Sequence, residues 1–222
     1  MRSDGTGVVR LTNTPDINEN NPSWSPDAKR LAFTRDVRDA ERGDGIAVMA
    51  VRAGARATVI KQNVYQEEES DTYSDPKWSP NGDWLAVTHV NIGYSSCSPV
   101  WVERITPTGT TLPGSFRAFD PDVDPGGTWV AGSAENCDFA PWILKRNMTT
   151  GKTAHVTRMW DDPAETDPVW SPSGRQIAFQ NSDYLIGGWT ELGVINADRT
   201  GKTIIVPRTP GVRITPRDWR AG

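Results

Sequence analysis

Short apolar runs separated by turn residues recur along this chain. Three of them are Leu31-Ala32-Phe33, Leu85-Ala86-Val87 and Ile177-Ala178-Phe179. A dense apolar run of this length, bounded by turn residues, is typical of a strand that is buried on both faces. The 3.6-residue period of an amphipathic helix is not sustained over any useful length. The pattern therefore predicts an all-β protein.

A longer sequence repeat contains each of these runs. Its clearest copies occupy residues 22–33, 76–87 and 168–179 and read Pro-x-Trp-Ser-Pro, followed by Asp, Asn or Ser. A copy at 121–132 has lost the Trp and the Ser, and a fifth copy begins at 212 and is incomplete. Taking positions 24, 78, 123, 170 and 214 as equivalent, the period is 44 to 54 residues. Self-similarity at about 40–50 residues is typical of tandem structural units, including propeller blades.

Each copy predicts a β-hairpin followed by two more strands. The first Pro lacks an N–H group and suits the start of a strand, the Trp is a large apolar anchor, and Ser-Pro-Asp/Asn-Gly forms a tight turn. Four antiparallel strands per unit, repeated in tandem, predict a β-propeller. We therefore expect a single domain over residues 1–222 with four complete blades and a partial strand at each end. The expected blades are approximately 22–75, 76–120, 121–167 and 168–211, with partial strands at 1–13 and 212–222.

The repeat resembles that of the TolB-type β-propeller family, which is WD-repeat-like. The resemblance rests on Pro-x-Trp-Ser-Pro-Asp/Asn-Gly-x-x-Leu/Ile-Ala-Phe, on the aliphatic third strand and on endings such as Leu11-Thr12, and it covers nearly all 222 residues. It implies a cell-envelope scaffold, in the periplasm or elsewhere outside the cytoplasm, with a partner at the mouth of the central channel. Such propellers commonly have six blades.

The blade count leaves two expectations open. Because only four units are complete, we expect a part of a larger propeller, completed by further blades of the same reading frame or by a second copy. A small closed ring is the alternative. Residues 1–12 lack the charged and apolar segments of a signal peptide.

Charge and hydropathy narrow the range of partners. The formal net charge is −4, and Lys and Arg are scattered rather than clustered, so no basic stripe is available to neutralise nucleic-acid phosphates. No apolar run approaches the roughly 18 residues that a membrane-spanning helix needs. We expect neither nucleic-acid binding nor a membrane span.

The connections between units are acidic, and in a propeller they meet on one face. We therefore predict an acidic loop face at the channel mouth that binds a protein or peptide, and its negative charge favours a basic one. Solvation alone also explains acidic loops. The candidate residues are Glu67, Glu68, Glu69, Asp71, Asp75, Asp120, Asp122, Asp124, Asp161, Asp162 and Asp167.

One acidic segment resembles the opening of a calcium loop. Asp120, Asp122 and Asp124 alternate along the chain, so that their carboxylates could converge on one ion. Pro125 stands where an EF-hand has Gly and Ala131 where it has the closing Glu, which excludes an EF-hand. A calcium ion held by several acidic loops is a hypothesis, and no other cofactor is expected.

The remaining chemistry-bearing residues are few. Cys97 and Cys137 fall in equivalent loops of adjacent units, so a disulfide is a candidate. His89 ends a second strand near the loop face, and His155 lies in an outer strand. Two histidines and the lack of nucleophile or metal motifs predict a protein without catalytic activity.

Two alternatives to a protein-binding scaffold stay open. Propellers of this type also occur as accessory domains of prolyl-oligopeptidase and tricorn-like peptidases. Trp160 beside acidic residues and Trp189 beside glycines suit a carbohydrate-binding propeller, although packing between blades also explains them.

Overall fold

The protein is described by a computed structural model that covers residues 4–37, 44–66, 69–93, 99–136, 139–158, 163–182, 190–209 and 212–219. All regular structure in these ranges is β-strand, arranged as four antiparallel blades around a channel. This confirms the predicted all-β propeller with four blades of four strands. No helix long and apolar enough to cross a membrane occurs in the described ranges.

Within each blade the strands are neighbours in sequence order, so every blade is a meander. The first blade comprises β1 (Ile17–Trp24), β2 (Arg30–Val37), β3 (Gly45–Ala50) and β4 (Thr58–Gln62). The second comprises β6 (Ser70–Trp78), β7 (Leu85–Ile92), β8 (Val100–Ile105) and β9 (Thr111–Phe116), with the short β5 (Val64–Tyr65) added beside β6. The third comprises β10 (Phe119–Val123), β11 (Trp129–Asn136), β12 (Phe139–Asn147) and β13 (Thr153–His155). The fourth comprises β14 (Ala164–Trp170), β15 (Gln176–Ser182), β16 (Thr190–Asn196) and β17 (Thr203–Val206).

The turn between the first two strands is closed by one side chain in every blade. In the first, second and fourth blades a Ser hydroxyl accepts the N–H of the residue five positions later, as Ser79 does from Trp84 at 3.1 Å. In the weaker third copy, Asp124 accepts the N–H of Trp129 at 2.6 Å and that of Thr128 at 2.7 Å. The loss of the Ser therefore leaves the turn intact, because a carboxylate replaces the hydroxyl.

Most of the hydrophobic core lies between consecutive blades. Ile46 of the first blade packs with Trp78 and Leu85 of the second. A second cluster joins the middle blades through Trp84, Val102, Val130 and Trp142. A third joins the last two through Ile143, Val156, Trp170 and Phe179. Each blade therefore depends on its neighbours for burial, as expected for a repeat array.

The anchor role predicted for the repeat Trp residues differs among the blades. Trp78 and Trp170 are 7% and 5% exposed, which agrees with the prediction, but Trp24 is 48% exposed. Trp24 belongs to the first blade and is paired with Leu31 across β1 and β2, so the two share a face. Leu31, Phe33 and Met49 form a small cluster with Leu11 rather than with another blade. A Trp anchor is buried where a preceding blade covers it.

The fifth copy of the repeat is shifted relative to the sequence alignment. The residue before the repeat Pro contacts the second strand of the preceding blade: the N–H of Asp75 donates to Thr34 Oγ1 at 3.0 Å, and that of Asp120 to Thr88 Oγ1 at 3.1 Å. Thr215 contacts the equivalent position of the fourth blade through its side chain, since its hydroxyl donates to Gln180 Oε1 at 2.6 Å. Pro216 is therefore the repeat Pro, and position 218 rather than 214 is equivalent to the Trp.

Truncating a buried anchor should cost far more stability than truncating the exposed one. Trp170→Ala leaves a cavity between the last two blades, so the free energy of unfolding should fall by about 3–5 kcal/mol. Trp24→Ala is the matched control and should cost less than half as much. Chemical denaturation of both variants measures the difference, and equal losses would contradict the packing described.

The first turn contains a residue that is poorly suited to its backbone conformation. Ala28 has φ 54°, where the other three turns have Gly82, Gly127 and Gly174 at φ 66–76°. A side chain in this left-handed region costs about 1–2 kcal/mol, partly offset by the lower unfolded-state entropy of Ala. We expect Ala28→Gly to raise the free energy of unfolding by about 0.5–1 kcal/mol. Gly82→Ala, whose new Cβ would lie 3.6 Å from Pro26 Cδ in ordinary contact, should lower it by a similar amount.

Candidate functional site

A repeated backbone irregularity shapes the inner wall of the propeller. The residue before the repeat Pro has a left-handed conformation in every blade: Asn21, Asp75, Asp120 and Asp167 have φ between 49° and 52°. The strand register shifts at the same point in each innermost strand, which marks a β-bulge. Asn and Asp tolerate this conformation better than most residues. Four equivalent bulges therefore place an Asn or Asp at the same height around the channel.

We call these four residues the Asx ring, and they line a channel of about 860 Å³. The innermost strands β1, β6, β10 and β14 form its wall together with residues 216–219. Trp24 also lines the channel, as does Trp219. The charged lining residues among those described are six carboxylates and two cations: Glu19, Asp75, Asp120, Asp122, Asp167 and Asp218, with Lys77 and Arg217. The channel is therefore distinctly acidic.

The carboxylates of the Asx ring differ in how well they are hydrogen bonded. Asn21 Nδ2 donates to Asp75 Oδ1, and Ser74 Oγ donates to Asp75 Oδ2 at 2.6 Å. Asp167 Oδ2 accepts from the hydroxyl of the adjacent Thr166 at 3.1 Å. No described residue donates a hydrogen bond to the carboxylate of Asp120, whose backbone N–H is bound to Thr88. Asp120 is thus the least compensated member.

Burial in the channel raises the pKa of two of these carboxylates. Burial, reinforced by the nearby charges of Asp167 and Asp75, raises the pKa of Asp120 to about 8. Burial also raises the pKa of Asp167, against a hydrogen bond from Thr166 and the charge of Arg217. The protein supplies too little positive charge and too few donors to satisfy the ring, so a cation entering the channel would be stabilised by it.

Asp122 lies on the same wall, two residues beyond Asp120. Burial raises its pKa to about 6, against the charge of Lys77 and the N–H of Trp170. That N–H donates to Asp122 Oδ2 at 2.7 Å, so Asp122 joins the third blade to the fourth. Ser23 joins the first two blades in the same way, because its Oγ accepts a hydrogen bond from the N–H of Trp78 at 3.1 Å.

Several site residues that were predicted to lie in loops lie on strands. Asp71 and Asp75 lie in β6, Asp120 and Asp122 in β10, and Asp167 in β14. The expected acidic loop face is thus corrected for these five residues, four of which face the channel. Asp71 instead contacts His89. Glu69 is exposed in the turn between β5 and β6. The candidates Glu67, Glu68, Asp161, Asp162, Trp160, Trp189, Cys97 and Cys137 lie outside the described residues.

The three alternating carboxylates of the calcium hypothesis have separate roles. Asp120 belongs to the Asx ring, Asp122 binds the N–H of Trp170, and Asp124 closes a hairpin turn. No group of three or more His, Cys, Asp or Glu side chains within the described ranges is arranged to hold a metal ion. The geometry therefore gives the calcium hypothesis no support at these positions.

Sequence reasoning missed the channel residues Asn21, Lys77 and Arg217. The signal was present, because Asn or Asp precedes the repeat Pro at positions 21, 75, 120 and 167. Asn21 carries no charge, so a pattern of acidic residues does not include it. Arg217 lies in the incomplete fifth copy, where no Pro-x-Trp-Ser-Pro sequence fixes the alignment.

Neutralising Asp120 should change how stability depends on pH. Because its pKa is higher in the folded than in the unfolded protein, ionisation costs stability as pH rises from about 4 to about 8. Asp120→Asn removes this cost, so its melting temperature should exceed that of the wild type by several degrees at pH 9 and match it near pH 4. Asp83→Asn, an exposed carboxylate of a hairpin turn, is the control. An unchanged pH profile for Asp120→Asn would contradict the assigned environment.

No protein-family model and no curated protein matches the sequence. Solved structures do match in fold. TolB from Acinetobacter baumannii superposes with a TM-score of 0.63 at 17% identity, covering 86% of this chain and 43% of that one. An oligogalacturonate lyase in complex with manganese gives 0.54 at 18% identity, covering 85% of this chain and 48% of the lyase.

A puromycin-hydrolyzing peptidase from Mycobacterium tuberculosis gives a TM-score of 0.51 at 13% identity, covering 85% of this chain and 30% of the peptidase. The chain thus spans less than half the length of each of these three proteins. At these identities the likenesses show the fold alone. They are consistent with the resemblance noted in the repeat, whereas membership of the TolB-type family stays a prediction. This chain has the fold of a β-propeller similar to those of TolB and of propeller-bearing lyases and peptidases.

Proposed function

We propose that the protein is a non-enzymatic propeller scaffold that binds a cationic segment of a protein or peptide in its acidic channel. The observation that carries the proposal is the Asx ring, in which carboxylates are enclosed without enough positive charge. Asp120 has no described hydrogen-bond donor, and its pKa is raised to about 8. A Lys or Arg side chain entering the channel supplies both the charge and the donors that the ring lacks.

The size of the channel suits side chains rather than a folded domain. A volume of about 860 Å³ is within the range of small-ligand pockets, about 300–1,000 Å³. An extended segment can insert one or two basic side chains there while the rest of the partner stays outside. Rigid strands hold the acidic groups, which limits the entropy lost on binding.

Two cationic residues of the wall support this chemistry. Lys77 and Arg217 already lie among the carboxylates, and their charges partly oppose the rise in the pKa of Asp167 and Asp120. Trp24, about half exposed at the same wall, offers an aromatic face to a cation. The resemblance to TolB proteins supports a scaffold role outside the cytoplasm, which stays a prediction.

The binding proposal can be tested by calorimetry with a short peptide of alternating Gly and Arg. Binding should be detectable at about 0.1 M salt and much weaker at about 1 M, since the screening length falls from about 10 to about 3 Å. Affinity should also rise between pH 6 and pH 9, because Asp120 ionises with a pKa of about 8 and the Arg side chains stay charged.

Substitutions separate the channel from general surface charge. The double variant Asp120→Asn with Asp167→Asn should lower affinity at least tenfold and lose the pH dependence. Asp83→Asn removes a single charge outside the channel lining and should leave affinity within about twofold. No binding at low salt, or equal losses in the channel and control variants, would refute the proposal.

A further inference from the structure

His89 is held between two carboxylates on neighbouring strands of the second blade. Its Nε2 lies 2.8 Å from Asp71 Oδ1 on β6, and its Nδ1 lies 2.9 Å from Glu103 Oε1 on β8. The imidazole itself is on β7, between these two strands. Its side chain is 13% exposed and that of Glu103 is 16% exposed, so water competes little for the bond between them, whereas Asp71 is 39% exposed.

The geometry determines the protonation state that satisfies both bonds. A neutral imidazole has one N–H donor and one nitrogen lone pair. The lone pair cannot bond to an ionised carboxylate, so a neutral His89 would leave Asp71 or Glu103 without its partner. Only the imidazolium donates to both oxygens. Asn91 Nδ2 also donates to Asp71 Oδ1 at 3.0 Å, so that carboxylate is fixed from two sides.

Aromatic rings extend this arrangement to the first blade. Tyr73 stacks on His89 with ring centroids 4.6 Å apart, and Trp101 lies on the ring at 5.5 Å. Lys61, from β4 of the first blade, places its ammonium 4.7 Å from the centroid of Tyr73. Tyr73 thus lies between two positive groups when His89 is protonated, a favourable position for an electron-rich ring. The charge on His89 therefore bears on the contact between the first and second blades.

We infer that Asp71, His89 and Glu103 form a pH-sensitive latch that fastens β6, β7 and β8 together when His89 is an imidazolium, and that releases one strand when the proton leaves. The titratable and charged groups that face His89 are Asp71 and Tyr73 of β6 and Glu103 of β8, with Lys61 of β4 beyond Tyr73. Among the described residues, Lys61 is the cation that stays near the two carboxylates when the proton leaves. β6 contacts the strands of the first blade, so release of β6 under alkaline conditions loosens that contact.

The electrostatics of the latch indicate the pH range. Burial opposes the charged form of His89, but the hydrogen bonds and charges of Glu103 and Asp71 outweigh it and raise the pKa above its ordinary value of 6.5. Because the folded-state pKa is raised, the latch contributes its full stability below about pH 6.5 and loses it as pH rises through the folded-state value. The hydrogen bonds from Asn91 and His89, resisted by burial, correspondingly lower the pKa of Asp71.

The first test follows the imidazole signals of the wild-type protein by NMR as pH is varied. The chain has two histidines, so His155→Gln assigns the spectrum. His89 should titrate above pH 6.5, with both ring N–H protons protected from exchange at pH 6. Titration of His89 at or below pH 6.5, or a single N–H at pH 6, would overturn the proposal, and this result needs no variant of the latch.

The second test compares thermal stability across pH for His89→Gln, Glu103→Gln and His155→Gln. The difference in melting temperature between wild type and His89→Gln should be large at pH 6 and should shrink towards pH 9. Glu103→Gln should lower the pH at which His89 titrates. The ring of His155 stacks on Trp142 at 5.9 Å, and no carboxylate of the described residues is bonded to it. His155→Gln should therefore follow the wild-type profile. Asp120 contributes equally to all these proteins, so the difference isolates the latch.

The third measurement locates the loosening. Amide hydrogen exchange of the wild-type protein should speed up selectively in β6 and β8 between pH 6 and pH 9, after correction for the intrinsic pH dependence of exchange. His89→Gln should show the faster exchange at both pH values. A His89→Gln stability deficit that is the same at every pH, or a uniform change in exchange over all blades, would show a merely structural role and overturn the proposal.

Discussion

The contact between one blade and the next is the interaction on which the rest of this structure depends. Among the described residues, three hydrophobic clusters are shared by two consecutive blades and contain the buried Trp and Ile side chains. A smaller fourth cluster lies on the first blade with Leu11. Each junction is also fixed near the channel, where Thr34, Thr88 and Ser133 accept the N–H of the residue before the next repeat Pro. Burial of apolar surface between blades supplies the stability, and these hydrogen bonds fix the angle between one blade and the next. That angle determines the shape of the channel.

This arrangement explains how an unfavourable charge cluster persists in the channel. Enclosed carboxylates that repel one another destabilise the folded state, as the raised pKa of Asp120 to about 8 indicates. The bulge before each Pro fixes their positions, and the bulge is in turn held by the junction between blades. Carboxylates that destabilise the folded state can instead be stabilised by a cationic ligand. Such a loss of stability in exchange for function is common at binding sites.

The blades share a framework but differ in the residues at equivalent positions. The residue that follows Thr34, Thr88 or Ser133 in the second strand of its blade differs from blade to blade. It is Arg35 in the first blade, His89 in the second and Ala134 in the third. In the fourth blade Asn181 occupies this place and donates to Glu191 at 2.9 Å. Among the described residues, the second blade alone has a histidine with two flanking carboxylates at this position. Repetition therefore supplies the scaffold, and individual blades carry separate chemistry.

The sequence by itself determined the fold, because the Trp-turn-strand repeat can bury its apolar faces only by stacking tandem hairpins. It also indicated that acidic residues would gather at one place, since equivalent positions of a radial array converge. It could not decide that Asp75, Asp120 and Asp167 face the channel, because a β-bulge reverses the alternation of side chains and depends on contacts with the previous blade. The partners of His89 lie 18 and 14 residues away along the chain, on other strands. Tertiary structure alone decided them, because strand register sets which side chains meet.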